Sequence, residues 1–193
     1  MNNFALKVFK NRSYSPIPFL ILMLVFQQAT PASLIAGFAV ALLGEFFRFW
    51  GVAYAGSETR RTGEVGATYL VVSGAFAHLR NPLYLGNMLM YLGIGIMSYS
   101  LFPYLQIIAL AFFMWQYYVI INEEEGFLVQ KYGKAYEEYR AAVPKLIPSL
   151  KAYPNPGIEQ PSFNPKAGLK SEMRTLQAFA FIILIVIVRY ALS

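Results

Sequence analysis

The sequence predicts an all-α integral membrane protein with about five transmembrane helices, and three observations carry that prediction. Hydrophobic residues make up 57% of the 193 residues and charged residues only 13%, against about 25% charged in ordinary soluble domains. Apolar runs approaching the ~20 residues that a spanning helix needs recur along the chain. The cations alternate with those runs, so that fourteen of the sixteen Lys and Arg residues fall on one side of a five-span path. Too little polar sequence is left for a separate soluble unit, and residues 1–193 read as one membrane domain.

The elements follow in order. Lys7, Lys10 and Arg12 precede the first apolar run, Pro16 to Ala29, which is short. A cationic start of this kind also opens a secretory signal, but no clear small-residue cleavage site follows and more spans do. The second run extends from about Ala32 to Ala55 and carries Glu45 and Arg48. The third runs from Pro82 to Ser98, the fourth from Phe102 to Asn122, and the fifth from Leu176 to Leu192, an extra C-terminal helix over about 175–192. Lys7, Lys10, Arg12, Arg60, Arg61, Arg80 and the eight cations from Lys131 to Arg174 then share a side, and only Arg48 and Arg189 fall elsewhere. By the positive-inside rule the N-terminus is cytoplasmic and the C-terminus lies outside. The net charge of +6 therefore marks topology rather than a nucleic-acid surface.

Two segments on the cationic side are too long for turns. "GSETRRTGEVGATYLVVSGAFAHLR" contains the β-prone run "TYLVV" and a turn at Ser73-Gly74. "EEEGFLVQKYGKAYEEYRAAV" reads as a helix leaving the membrane, with Leu128, Tyr132, Tyr136, Tyr139 and Val143 on one apolar-aromatic face. "YPNPGIEQPSFNP", with four prolines, reads as an extended linker to the fifth span.

Composition removes several chemistries. Cysteine is absent, which excludes disulfides, thiolate nucleophiles and zinc-thiolate sites. All ten acidic residues are glutamates, and the single histidine, His78, cannot build a multi-histidine metal site. No metal is expected.

Three constellations could carry chemistry. Arg80-Asn81-Pro82 opens the third span, with asparagine a favoured N-cap and proline favoured at the first helical position. Free N–H groups, the helix dipole and the adjacent Arg80 would suit a carboxylate or phosphate; a capped helix with an interfacial arginine is the plainer reading. Glu123, Glu124 and Glu125 close the fourth span, where they would attract a cation or accept from sugar hydroxyls, or simply form a solvated end. Glu45 and Arg48 share a face of the second span at i, i+3. Ionisable groups within a span are costly and face a cavity or the bundle interior, so the pair is either functional or a structural ion pair. Gly93 and Gly95 lie inside a span, where small residues permit close helix packing.

Taken as a set, "RNPLYLGN", a two-helix hairpin, "EEEGFLVQKYGKAYEEY" and "VPKLIP" resemble the membrane methyltransferases of the isoprenylcysteine carboxyl methyltransferase and phospholipid N-methyltransferase type. The matching positions are Arg80, Asn81, Pro82 and Tyr84, then Glu124, Glu125 and Leu128, then Tyr132, Gly133, Tyr136 and Tyr139, a signature core of about 72–148. The resemblance implies S-adenosylmethionine as methyl donor, held between the third and fourth spans and capped by the cytoplasmic cofactor-binding segment after the fourth. It implies Arg80, Asn81 and Pro82 for the donor's carboxylate, Glu124 and Glu125 for its ammonium or ribose, and Tyr84 and Tyr136 for the adenine. Leu85 and Gly86 would let the backbone approach, and Leu43 and Gly44 are candidates by position only. Asn81 departs from the histidine usual in the carboxyl methyltransferase branch and leans toward the phospholipid-type branch or prokaryotic relatives. The fifth span has no counterpart in the signature; it could pack on the bundle, gate lipid entry or pair with another subunit in a homo-oligomer.

Methyl transfer from a sulfonium is an in-line displacement that needs alignment and exclusion of water. An amine acceptor must lose a proton, for which Glu45 is the candidate base. A carboxylate acceptor needs only orientation, by Arg48 or Arg140. The expectation is a lipid or lipid-like acceptor methylated on N, O or S, in a membrane compatible with a prokaryotic inner membrane. Two competing readings are a non-catalytic membrane scaffold or lipid-binding bundle, and a sterol-reductase-like enzyme using a nicotinamide cofactor.

Overall fold

The computed structural model describes residues 3–56 and 70–192, and among these it is helical with no strand. The helices are α1 (Asn3–Asn11), α2 (Ile17–Val25), α3 (Pro31–Ala55), α4 (Pro82–Ser98), α5 (Tyr104–Tyr132), α6 (Lys134–Ala142) and α7 (Pro165–Leu192), with a short 3-10 turn at Gly74–Ala77. Three of them, α3, α5 and α7, are long and apolar enough to cross a membrane, at 25, 29 and 28 residues. α4 has 17 residues, about 26 Å at ~1.5 Å per residue. α2 has only nine, about half the depth of a hydrocarbon core.

Proline starts three of the helices. Pro31 follows Thr30, whose hydroxyl accepts from the Ser33 amide at 3.1 Å while the Ser33 hydroxyl accepts from the Thr30 amide at 2.9 Å, a reciprocal cap. Pro82 starts α4 at the expected residue. Pro165 starts α7 well before the expected Leu176, because Asn164 caps it: its Oδ1 accepts from the Ala167 amide at 2.9 Å. Asn164-Pro165 is the same start signal as Asn81-Pro82, and the charged turns after it are helical too.

α3 and α4 run antiparallel, and their glycines set how closely. Gly37, Gly44 and Gly51 recur every seven residues on α3, and Gly86 and Gly93 do so on α4. A Cβ on Gly44 would stand 2.6 Å from the Gly86 carbonyl oxygen, and one on Gly93 would stand 2.6 Å from that of Gly37. The backbones therefore touch, the packing that membrane helices use in place of a hydrophobic driving force. Gly44→Val is expected to push the pair apart and lower the melting temperature in detergent, whereas Gly126→Ala, where a Cβ meets nothing within 4 Å, leaves it unchanged. Equal melting curves for the two variants would contradict this packing.

The segment from Phe9 to Leu22 runs along α4 from its Tyr84 end to its Ser98 end. Phe9 is buried with Met88, Tyr117 and Ile121, against which Tyr84 packs. Phe19 meets Phe112 and Phe113 at 5.4 Å each, and the Leu22 carbonyl accepts from the Ser100 hydroxyl at 3.0 Å.

α5 continues past the expected Asn122 to Tyr132, and Gly133, at φ +52°, turns the chain into α6. The expected aromatic face is a core: Tyr136, Tyr139 and Val143 are buried with Leu70 and Val72, with Leu128 and Tyr132 packed against them. The β-prone run forms no strand among its described residues. Leu70–Val72 are instead held by one side chain, as Gln160 accepts from the Val72 amide at 2.8 Å and donates to the Leu70 carbonyl at 2.9 Å. Thr68, Tyr69, Arg60 and Arg61 lie outside the described residues. The proline-rich linker is extended as expected; Tyr153 at its start bonds to the segment before α4 through Tyr153 N–Ala77 O at 2.8 Å, and Ser149 just ahead of it through Ser149 N–His78 O at 2.9 Å.

Candidate functional site

The start of α4 and the last turns of α5 bring the first two sequence constellations together. Arg80 Nε donates to Glu125 Oε1 at 2.9 Å and Nη2 to Oε2 at 3.3 Å, with both side chains almost fully buried. Arg80 Nη1 donates to the carbonyls of Arg140, at 2.7 Å, and Val143. One guanidinium thus ties α4, α5 and the end of α6. Asn81 occupies the N-cap position, but its side chain makes no cap bond; its amide donates to the Lys145 carbonyl at 3.2 Å and toward Glu125 at 3.5 Å. Lys145 Nζ stands 3.6 Å from Glu125 and donates to Asn122 at 2.7 Å.

Glu124 takes a different partner. Its Oε1 accepts from the Tyr84 hydroxyl at 2.9 Å. The Tyr84 ring in turn lies 4.7 Å from that of Tyr117. Behind this wall, burial above all, then the Glu125 charge, raises the Tyr136 phenol above its ordinary range, and burial does the same for Tyr139. Both stay neutral, and the Tyr139 hydroxyl donates to the Phe76 carbonyl at 2.7 Å.

The third constellation is larger than a pair. Arg48 Nη1 donates to Asn87, and Nη2 donates to Glu172 at 2.6 Å and to Thr175 at 3.3 Å. Glu45 stands 3.8 Å from Arg48 Nε. Glu172 is wholly buried. Asn87 stands one turn from Tyr84 on α4, which sets the Arg48 cluster beside the Tyr84–Glu124 pair along one face of that helix. Three helices, α3, α4 and α7, share this cluster.

Other expected residues sit elsewhere. The Arg140 side chain is exposed, and only its backbone carbonyl reaches Arg80. Gly86 faces α3, where a Cβ would stand 2.6 Å from the Gly44 carbonyl oxygen; helix packing accounts for both glycines. Leu85 packs on the α5 core, and Leu43 is exposed. His78 donates through Nδ1 to the Ser149 carbonyl at 2.7 Å and packs on Trp50, which pins the linker. Among the described residues no three His, Cys, Asp or Glu side chains group to hold a metal ion.

Sequence reading placed Asn87 on one face with Tyr84 but missed Tyr117, Glu172 and Thr175. The signal for Glu172 was available, since Asn164-Pro165 marks an early helix start and places this acid on a helix that carries a spanning run.

Residues 32–135 match the model of the family described as phospholipid methyltransferase. The cobalt-zinc-cadmium resistance protein CzcN of Cupriavidus metallidurans is 32% identical over 124 residues, 64% of this chain and 53% of that protein. The protein-S-isoprenylcysteine O-methyltransferase of Schizosaccharomyces pombe is 32% identical over 82 residues, 42% of this chain and 34% of that one. The chain thus covers about half the length of the first of these relatives and a third of the second. No solved structure matches the chain.

Proposed function

We propose that this chain, which belongs to the phospholipid methyltransferase family, transfers a methyl group from S-adenosylmethionine to a lipid or lipid-like acceptor at the cytoplasmic membrane interface. The observation that carries the reading is that α4 holds the two polar clusters one turn apart, Tyr84 on Glu124 and Asn87 on Arg48. It sets an acidic wall at the α4 start beside a charged cluster buried among α3, α4 and α7.

The residues present fit such a donor. Glu124 supplies carboxylate lone pairs for an ammonium or a ribose hydroxyl. Tyr84 and Tyr117 supply ring faces, and Tyr84 fixes the rotamer of Glu124. Arg80 and Asn81 hold Glu125 and the α6 end, and so shape the wall rather than reach into it. The bound donor supplies an electrophilic methyl on sulfur, which needs no metal. Arg48, Asn87 and Glu45 would orient the acceptor's reactive head; for an amine acceptor, Glu45 is the group within the cluster able to take its proton. Five crossings, with the broken α1–α2 segment first, then α3, α4, α5 and α7, would place the cationic segments on the cytoplasmic side.

The test is transfer of tritiated methyl from S-adenosylmethionine by protein reconstituted in vesicles of phosphatidylethanolamine and phosphatidylglycerol, with isoprenylated thiol and amine acceptors added in turn. Label in an organic-soluble product is expected. Glu124→Gln should lower the rate by about tenfold to hundredfold, the worth of a charged hydrogen bond. Folded protein that labels none of these acceptors, yet retains a nicotinamide cofactor, would move the assignment to a reductase.

A further inference from the structure

Arg80 cannot readily serve a ligand's anionic group, because Glu125 and two backbone carbonyls already take its donors. A second guanidinium stands near the same wall. Arg12 follows α1, whose Phe9 is buried in the cluster against which Tyr84 and Leu85 pack. Its guanidinium carbon lies 3.6 Å from the centroid of the Phe9 ring, and Nη1 donates to the Phe9 carbonyl at 2.9 Å. Among the described residues no carboxylate pairs with it, so most of its five donors are open. Phe9 seats it at the cluster on which Tyr84 packs, and the Tyr84 hydroxyl in turn donates to Glu124 at 2.9 Å. The ring and the carbonyl hold the side chain half-buried, where a cation is worth more than on an open surface.

A guanidinium beside a carboxylate selects a dipolar ligand. A bare anion would be repelled by Glu124 and a bare cation by Arg12. We propose that Arg12 and Glu124 form a subsite for a group carrying an ammonium next to an anionic oxygen, with the ammonium on Glu124 and the anionic oxygens on the open donors of Arg12. This rests on the function proposed above, in which the amino-acid end of the methyl donor has that chemistry. An aminophospholipid head group has it too. Arg12 lies outside the matched residues 32–135, so the subsite is an addition that this chain's N-terminal helix makes to the family segment.

The experiment measures calorimetric binding of S-adenosylhomocysteine and of its decarboxylated analogue to wild type, Arg12→Gln and Arg12→Lys in detergent, each checked by thermal melting. A second arm measures uptake of phosphatidylethanolamine against phosphatidylglycerol from mixed micelles. Wild type is expected to bind the carboxylate-bearing nucleoside at least tenfold more tightly than the decarboxylated one. Arg12→Gln should bind both alike, with Arg12→Lys between. If carboxylate discrimination survives in Arg12→Gln but its preference for phosphatidylethanolamine is lost, the same subsite serves the lipid head group. If both discriminations survive in Arg12→Gln, the proposal is overturned, while nucleoside binding by wild type still supports methyl transfer. Failure of wild type to bind either nucleoside removes the methyl-donor reading, and the subsite then stands only on the lipid arm.

Discussion

Replacing Arg48 with Leu is expected to be the most damaging single substitution in the spans, costing about 3–5 kcal/mol of stability, the loss that follows when one partner of a buried ion pair is removed. Arg48 serves Glu172, Asn87 and Thr175 and stands beside Glu45. Without it, two buried carboxylates lose their guanidinium together. Glu172→Leu should cost less, because Arg48 keeps Glu45 and Asn87. The double variant Arg48→Leu/Glu172→Leu should be no less stable than Arg48→Leu alone, since it removes one of the two buried acids that lose Arg48. Melting temperatures of the three variants in one detergent check the order. If Glu172→Leu left the melting temperature unchanged, α7 would be held by something other than this cluster.

Arg80→Lys is the second large effect, despite keeping the charge. The guanidinium meets Glu125 with two nitrogens and two carbonyls with a third. One ammonium on a flexible stem cannot reach that spread of acceptors. The carbonyls of Arg140 and Val143 would lose their donor, and the α6 end would loosen from α4. The expected result is a loss of about 1–3 kcal/mol, the worth of charged hydrogen bonds, together with faster amide exchange at residues 139–145. Lys145, 3.6 Å from Glu125, keeps that acid compensated and limits the damage. Unchanged exchange in α6 would show that the Tyr136–Tyr139 core holds it alone.

The second prediction explains why the sequence was only partly legible. Arg80, Asn81, Pro82, Glu124 and Glu125 were marked as one set, and the fold does bring them together. Their pairing was not visible. Arg80 was expected to meet a ligand's carboxylate; Glu125 of the same chain takes its donors instead, and which acid an arginine meets depends on the rotation of α5 about its axis. The same limit hid Arg12: its membership in a cationic N-terminal run says nothing of its seat on the Phe9 ring. Helix existence was easier. α3, α4 and α5 start within two residues of expectation because prolines mark them. α7 was begun late because hydropathy was followed where Asn164-Pro165 gave the start. "TYLVV" was β-prone by composition, but in its described residues Gln160 supplies the ladder bonds that a partner strand would have given. The seven-residue glycine spacing was in the sequence throughout, and Gly44 and Gly86 were weighed as ligand contacts when they are each other's.

Calorimetric titration of S-adenosylhomocysteine into folded, detergent-purified wild type, beside a Glu124→Gln/Glu125→Gln variant matched for melting behaviour, tests the central claim most directly. The account predicts micromolar-range binding to wild type, on the order of 8 kcal/mol, and its loss in the variant. Equal heats for the two proteins, or no binding to wild type returned to lipid, would contradict it.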